Sequence, residues 1–323
     1  MKRQQDALRL IGSYGVVIAL LALVAFGWWR YENFMGTFNI MSVLRYNSMF
    51  ALVALGMCFV IMTGGIDLSV GTTAALGSVA AALASPYGMV PGAAAGVGAG
   101  LIIGALNGVL VTRLHIMPFI ATLATMLAAS GSALLFANNQ SVSVSYESGF
   151  TNLGQGNIWI FPIPALIAVV AYVLGSMILN FTGMGRAVLA VGGNEEASRL
   201  MGLRTDLVKF LVYLTSGGLA GLAGVILAAQ FGAGQPIEGV GWELFAIASV
   251  VVGGTLLTGG VGSVGTTLAG VLLLGILFNV LNFENGMGWI SLSAYWQSVI
   301  RGAFLLVVVI IQARLVTRGR QPA

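Results

Sequence analysis

The chain has 323 residues, of which 58% are hydrophobic and only 7% charged, against about 25% charged in soluble domains. So few charges exclude a soluble fold of this length, whose surface would be left uncovered. The formal net charge of +4 is spread between apolar runs rather than gathered in one patch, which excludes a nucleic-acid-binding face.

A helix that crosses a bilayer needs about 20 mainly apolar residues, fewer where its ends are buried in protein. Ten candidates follow along the chain: 11–29, 40–62, 70–84, 90–111, 116–137, 159–180, 208–230, 244–257, 264–281 and 291–312. The first is too long for a signal-peptide core and lacks a small-x-small cleavage site, so it reads as an uncleaved span. The second holds the lone cysteine, Cys58, which excludes an internal disulfide. The 46 glycines suit helices that approach closely or break within lipid.

Lys and Arg set the orientation. With the N-terminus in the cytoplasm, eleven of the fourteen fall on that side (Lys2, Arg3, Arg9, Arg113, Arg186, Arg199, Arg204, Lys209, Arg314, Arg318 and Arg320). Arg30 and Arg45 fall outside, and Arg301 lies within a span. The expectation is an all-α integral membrane protein of ten transmembrane helices with both termini cytoplasmic, forming one permease domain over 1–323. The polar loop 138–158 then lies outside and 182–207 inside.

The third and eighth spans are both short and glycine-containing, and an acid stands before each, Asp67 and Glu243. They cross in opposite directions, as an inverted repeat requires, and such segments point to a transport site. A second echo, Ser69-Val-Gly-Thr-Thr73 and Ser263-Val-Gly-Thr-Thr267, joins spans of one direction and reads as a recurrent helix start.

Enzyme chemistry lacks its residues. His115 is the single histidine, so no zinc motif with two histidines has its full set, and a Ser–His or Cys–His pair could use only that one ring, which stands beside Arg113 at a span end as an interfacial histidine does. The two lysines, Lys2 and Lys209, do not follow glycine, which excludes a phosphate-binding loop. No cofactor is expected on this chain, and any ATP would be held by a separate polypeptide.

The stretch from Asn194 to Gly202 reads as a short helix with both ends specified. Asn194 is the N-cap, Glu195 and Glu196 place negative charge in the first turn, and Gly202 suits a left-handed C-cap. Ala197, Leu200 and Met201 leave an apolar face on a helix too short to stand alone. Either lipid or a cytoplasmic partner has to cover it.

Gly185-Arg186, Gly193-Asn194, Ala197 and Gly202 resemble the coupling loop of permease subunits of bacterial ABC importers, in the ribose and monosaccharide branch. Gly64-Gly-Ile-Asp-Leu-Ser-Val-Gly71, Pro118-Phe-Ile-Ala-Thr-Leu-Ala-Thr125, Tyr295-Trp-Gln297 and Trp242-Glu-Leu-Phe-Ala-Ile-Ala-Ser-Val-Val-Val-Gly-Gly-Thr255 are similar to that branch as well. The resemblance implies that Arg186, Asn194, Glu195, Glu196, Ala197 and Gly202 engage a cytoplasmic ATP-binding subunit. It also implies a second permease subunit, identical or a sister chain, and a periplasmic solute-binding protein that delivers the sugar. Phe245 departs from the branch, which more often has an acid there.

Candidate path residues are Asp67, Asn107, Thr122, Glu243 and Arg301. Each has a second reading: Asp67 with Ser69, and Glu243, as helix caps; Asn107 and Thr122 as hydrogen bonds between helices; Arg301 as a structural ion pair. Trp28, Trp29, Trp159, Trp289 and Trp296 sit near span ends, as interfacial belts do. The expected function is the path of an ATP-driven monosaccharide importer in the bacterial inner membrane. A branched-chain amino-acid permease of the same class is the nearest alternative. An ion-coupled secondary transporter is the alternative from another class; it would need mid-membrane carboxylates, whereas Asp67 and Glu243 are expected at span ends.

Overall fold

The computed structural model describes residues 2–286 and six isolated positions between 296 and 306. Arg301, Trp289, Tyr295, Gln297 and most of the tenth expected span lie outside the described residues. The helices are α1 (Lys2–Arg30), α2 (Thr37–Met62), α3 (Val70–Ala84), α4 (Met89–Thr112), α5 (Pro118–Phe136), α6 (Asn152–Gln155) and α7 (Ile163–Phe181). They continue as α8 (Gly183–Gly193), α9 (Glu195–Leu200), α10 (Thr205–Phe231), α11 (Trp242–Val252) and α12 (Val264–Gly286). Nine expected spans coincide with helices, and among the described residues six helices (α2, α4, α5, α7, α10 and α12) are long and apolar enough to cross a membrane. The chain is an all-α membrane protein.

Two helices fall short of expectation at one end by four residues or more. The helix expected from 159 begins at Ile163, because β2 (Asn157–Ile158) and β3 (Phe161–Pro162) first form a hairpin. The one expected to reach 257 stops at Val252, where Gly254 takes φ +87 in the turn that follows.

Hydrogen bonds between loops sort the helix termini into two ends of the bundle. At the first end, β1 (Val142–Ser143) pairs with β4 (Ala233–Gly234), Ser145 N–H donates to Ser85 Oγ, and Arg45 donates to Asn157. At the second end, Gly260 N–H donates to Met62 O, and the α8–α9 corner rests on the start of α10.

The core centres on α2, which is buried on every side over most of Asn47–Met62. A helix apolar all round belongs in the middle of a bundle, and α3, α7, α10, α11 and α12 pack about it. The tightest seam joins α4 to α10. Gly96, Gly100, Gly104 and Gly108 recur every fourth residue, so they form one stripe along α4. A Cβ at Gly104 would stand 3.1 Å from the Gly217 Cα of α10, and one at Gly217 2.7 Å from the Gly104 Cα. Backbones meet there because no side chain intervenes, and dispersion over that contact holds the helices together in lipid.

Two non-helical segments enter the bundle. The first runs from Thr63 to Ser69 and leads into α3. The second descends from Gly232 along α3, where Gln235 N–H donates to Ser78 Oγ, and ends at Gly241 before α11. Their inner ends touch: the Gly239 backbone lies against that of Gly71, with no room for a Cβ on either. From this crossing α11 runs 11 residues, about 16 Å at 1.5 Å per residue, to Gly253, which packs on the first turn of α12 at the second end.

Candidate functional site

The crossing of the two non-helical segments gathers most of the candidate path residues. Asp67 is 1% exposed and lies two residues before the N-cap of α3. Its Oδ1 accepts from the Ser69 N–H at 3.0 Å and the Ser69 hydroxyl at 2.6 Å. This closes a turn just before α3; no side chain caps the α3 N-terminus. Its Oδ2 accepts from Ser216 Oγ of α10 at 2.9 Å. Asn107 Nδ2 of α4 donates to Ser69 Oγ at 2.8 Å, and Thr125 Oγ1 of α5 donates to Asn107 Oδ1 at 2.6 Å. Thr122 joins from beside it, donating to the Ile66 carbonyl at 3.2 Å and to Pro118 O at 2.8 Å. The donors form a chain that ends on one carboxylate, which accepts throughout. Four elements are tied at a point that a single unpaired charge would disrupt.

This node is not at a span end. Ser216 is 11 residues into α10, about 16 Å along the helix from its start at the second end. Glu243 is also deeper than expected, and it lies within the first turn of α11 rather than before it. Its Oε1 accepts from the Gly241 N–H at 3.2 Å, and a Cβ at Gly71 would stand 3.0 Å from its Oε2. The expectation that both acids sit at span ends is therefore corrected. The cause is the two non-helical segments, which carry the starts of α3 and α11 into the bundle. Arg301 is outside the described residues.

Four buried polar atoms on α3, α10 and α11 have no partner among the described residues: Thr73 Oγ1, Tyr213 Oη, Gln230 Oε1 and Glu243 Oε2. Tyr213 is 1% exposed, and its hydroxyl fills the place a Cβ on Gly65 would take. A buried hydroxyl or carboxylate oxygen without a partner is costly, which makes such atoms candidates for contact with a polar solute.

The α8–α9 corner has the local structure that its residues prescribe. Asn194 Oδ1 accepts from the Ala197 N–H at 2.9 Å, and Gly202 takes φ +86. Glu195 pairs with Lys209 of α10, and Arg199 donates to Thr205 Oγ1 at 3.2 Å and to Asp206 at 3.4 Å. These bonds fasten α9 to the base of α10 by its polar side. Leu200 and Met201 point away at 84% and 77% exposure, with Arg186, Glu196 and Ala197 also exposed. The apolar face is thus presented outward.

Sequence reasoning missed three features. Ser216, Tyr213 and Thr125 belong to the node or its border, and polar residues inside an apolar span were the available signal. The loop 138–158 is folded: α6 and two strands form there, and Phe150 is fully buried against Gly92. Its polar sequence hides two buried apolar anchors, Phe150 and Val144. Phe245 stands in an aromatic stack, 4.4 Å from the Phe50 ring centroid and 5.8 Å from that of Phe278. Trp242, 4.8 Å from Phe50, completes it. Trp28, Trp29, Trp159 and Trp296 are exposed.

Comparison with known proteins gives the arrangement its context. The chain is 37% identical to the ribose import permease protein RbsC of Escherichia coli K12 over 300 residues, 91% of this chain and 92% of that one. It is 38% identical to RbsC of Bacillus subtilis 168 over 285 residues, 87% of each chain. It is 34% identical to the L-arabinose transport system permease protein AraH of E. coli K12, over 94% of this chain and 90% of that one. No solved structure matches. Residues 39–309 match the family model described as branched-chain amino acid transport system / permease component. The chain belongs to that permease family.

Proposed function

We propose that this permease carries a monosaccharide of the pentose class through the bacterial inner membrane, driven by ATP hydrolysis on a separate cytoplasmic subunit. The observation that carries the reading is the match to ribose and L-arabinose permeases over about nine-tenths of both chains. A branched-chain amino-acid substrate has only the family description behind it. The carboxylates at mid-depth meet one requirement of an ion-coupled carrier, but family membership argues against that class.

The full topology is ten spans with both termini cytoplasmic and the α8–α9 corner inside, in a single permease domain. The two-ended sorting of loops supports it. An inverted repeat is supported by the packing: α3 lies against α4 and α10, as α11 lies against α12 and α2, and α4 meets α10 as α12 meets α2. Exchanging α2 with α10, α3 with α11 and α4 with α12 preserves these contacts. The Gly71–Gly239 crossing then falls where the two halves meet, the usual place of a transport site.

In this reading the outward face of α9, with Arg186, Asn194, Glu195, Glu196, Ala197 and Gly202 shaping it, docks on the ATP-binding subunit. A periplasmic binding protein delivers the sugar, and a second permease subunit completes the assembly. Lys209, Tyr213 and Ser216 follow one stripe of α10, at spacings of four and three residues. The stripe meets Glu195 at its base and Asp67 two turns higher. A displacement of α9 is thereby delivered to the non-helical segment beside the path. Asp67, Asn107, Thr122 and Glu243, with Tyr213 and Thr73, line or support that path; Arg301 is kept as a candidate from the last span.

The test is purification of the permease with its ATPase. Wild type should co-migrate with an ATPase subunit, while Leu200→Asp/Met201→Asp should insert normally and lose it. Retained ATPase in that variant would refute the docking role.

A further inference from the structure

A cleft of about 630 Å³ opens at the second end, between the end of α4 and the α9–α10 corner. That volume is within the range of about 300–1,000 Å³ typical of small-molecule sites. Three arginines line it, Arg113, Arg199 and Arg204, together with Asp206. Arg199 is already held by Glu195 and Asp206, at 3.4 Å from each. Arg113 and Arg204 form no ion pair with any described residue. The cleft therefore carries two uncompensated positive charges beside one neutralised cluster.

Its other wall is apolar. Val109 and Phe210 line it, and Leu207 is both in the lining and 42% exposed. One turn before Val109 on α4, Leu106 is 48% exposed and carries the apolar surface on along that helix. The helices end here, so the arginines stand at headgroup height and the leucines at the level of the acyl chains. A basic mouth above an apolar track is complementary to an anionic amphiphile, not to a free ion or to a soluble metabolite.

We infer that this cleft binds the phosphodiester headgroup of an anionic phospholipid, with Arg113 and Arg204 as its cationic ligands and one acyl chain along Val109 and Leu106. Each basic residue near an anionic membrane surface contributes about five-fold in affinity. Removing both should therefore lower the preference for an anionic lipid at least tenfold. The interaction should also weaken with salt, because both guanidinium groups are solvent-exposed.

The experiment uses the full chain in vesicles of equal parts phosphatidylcholine and phosphatidylglycerol, followed by mild extraction and native mass spectrometry of retained lipid. Wild type should retain phosphatidylglycerol in preference to phosphatidylcholine, and Arg113→Gln/Arg204→Gln should lose that preference at least tenfold. Arg113→Lys/Arg204→Lys should keep most of it, which separates charge from folding. Val109→Trp, which fills the apolar wall and spares both arginines, should lower phosphatidylglycerol retention as well. Equal retention in wild type and the glutamine variant would overturn the proposal. So would displacement of the lipid by millimolar inorganic phosphate, which would mark a free-phosphate site. Loss of ATPase co-purification in the glutamine variant with lipid preference unchanged would assign the cleft to the partner subunit instead, and would also overturn it.

Discussion

Asp67 accepts hydrogen bonds from three elements, so the cost of changing it depends on which donors are stranded. Asp67→Ala leaves the Ser216 and Ser69 hydroxyls and the Ser69 N–H without their acceptor. Each buried polar group abandoned in this way costs about 1–3 kcal/mol. Ser216→Ala removes one donor and strands nothing but part of the carboxylate, a loss of about 1.5–3 kcal/mol for a bond to a charged group. Thermal unfolding of the purified permease should therefore rank wild type above Ser216→Ala and Ser216→Ala above Asp67→Ala. If Asp67 is a solvated cap and not a node, the order will not hold and both variants will melt as wild type does. Asp67, Asn107 and Thr122 could be named in the sequence because polar residues in apolar runs stand out. Their joining could not, since the contacts between Asp67, Asn107 and Ser216 span 40 and 149 residues. Only the fold brings them together.

Among the elements, α9 and the α4–α10 seam make separate demands on glycine. Gly202 has φ +86 and a Cβ there would meet nothing, so the constraint is the backbone conformation alone. Gly202→Asn should be tolerated, because Asn enters the left-handed region readily. Gly202→Val should uncouple the ATPase while the permease still inserts, because a β-branched residue resists it. Substrate-stimulated ATPase activity in reconstituted complexes measures both. At Gly104 the constraint is space: a Cβ would stand 3.1 Å from Gly217 Cα, and a larger side chain would force α4 from α10. Gly104→Leu should sharply reduce folded protein in the membrane, measured by the fluorescence of a fused reporter after detergent extraction. The length and apolar character of the long spans were legible because lipid imposes both on a helix. The starts of α3 and α11 inside the bundle were only half legible. Short glycine-flanked spans signalled a break, but depth is set by the Gly71–Gly239 crossing, which leaves no periodic trace.

For the whole molecule, the sorting of loops into two ends predicts which of them face the periplasm. Ser143 is exposed in β1 at the first end, and Glu196 is exposed in α9 at the second. In a Cys58→Ala background, Ser143→Cys should react with an impermeant thiol reagent in intact cells and Glu196→Cys only after lysis. Ser198 would serve poorly as a reporter, being 4% exposed. The reverse pattern would invert the topology. The central claim, a sugar path powered through α9 from a separate ATPase, is tested most directly by uptake into proteoliposomes. These would hold the permease with its ATPase, the binding protein being added outside and radiolabelled ribose or L-arabinose supplied. The account predicts uptake that requires ATP and the binding protein and is abolished by Leu200→Asp/Met201→Asp. Uptake by the permease alone, driven by a proton or sodium gradient without ATP, would contradict it.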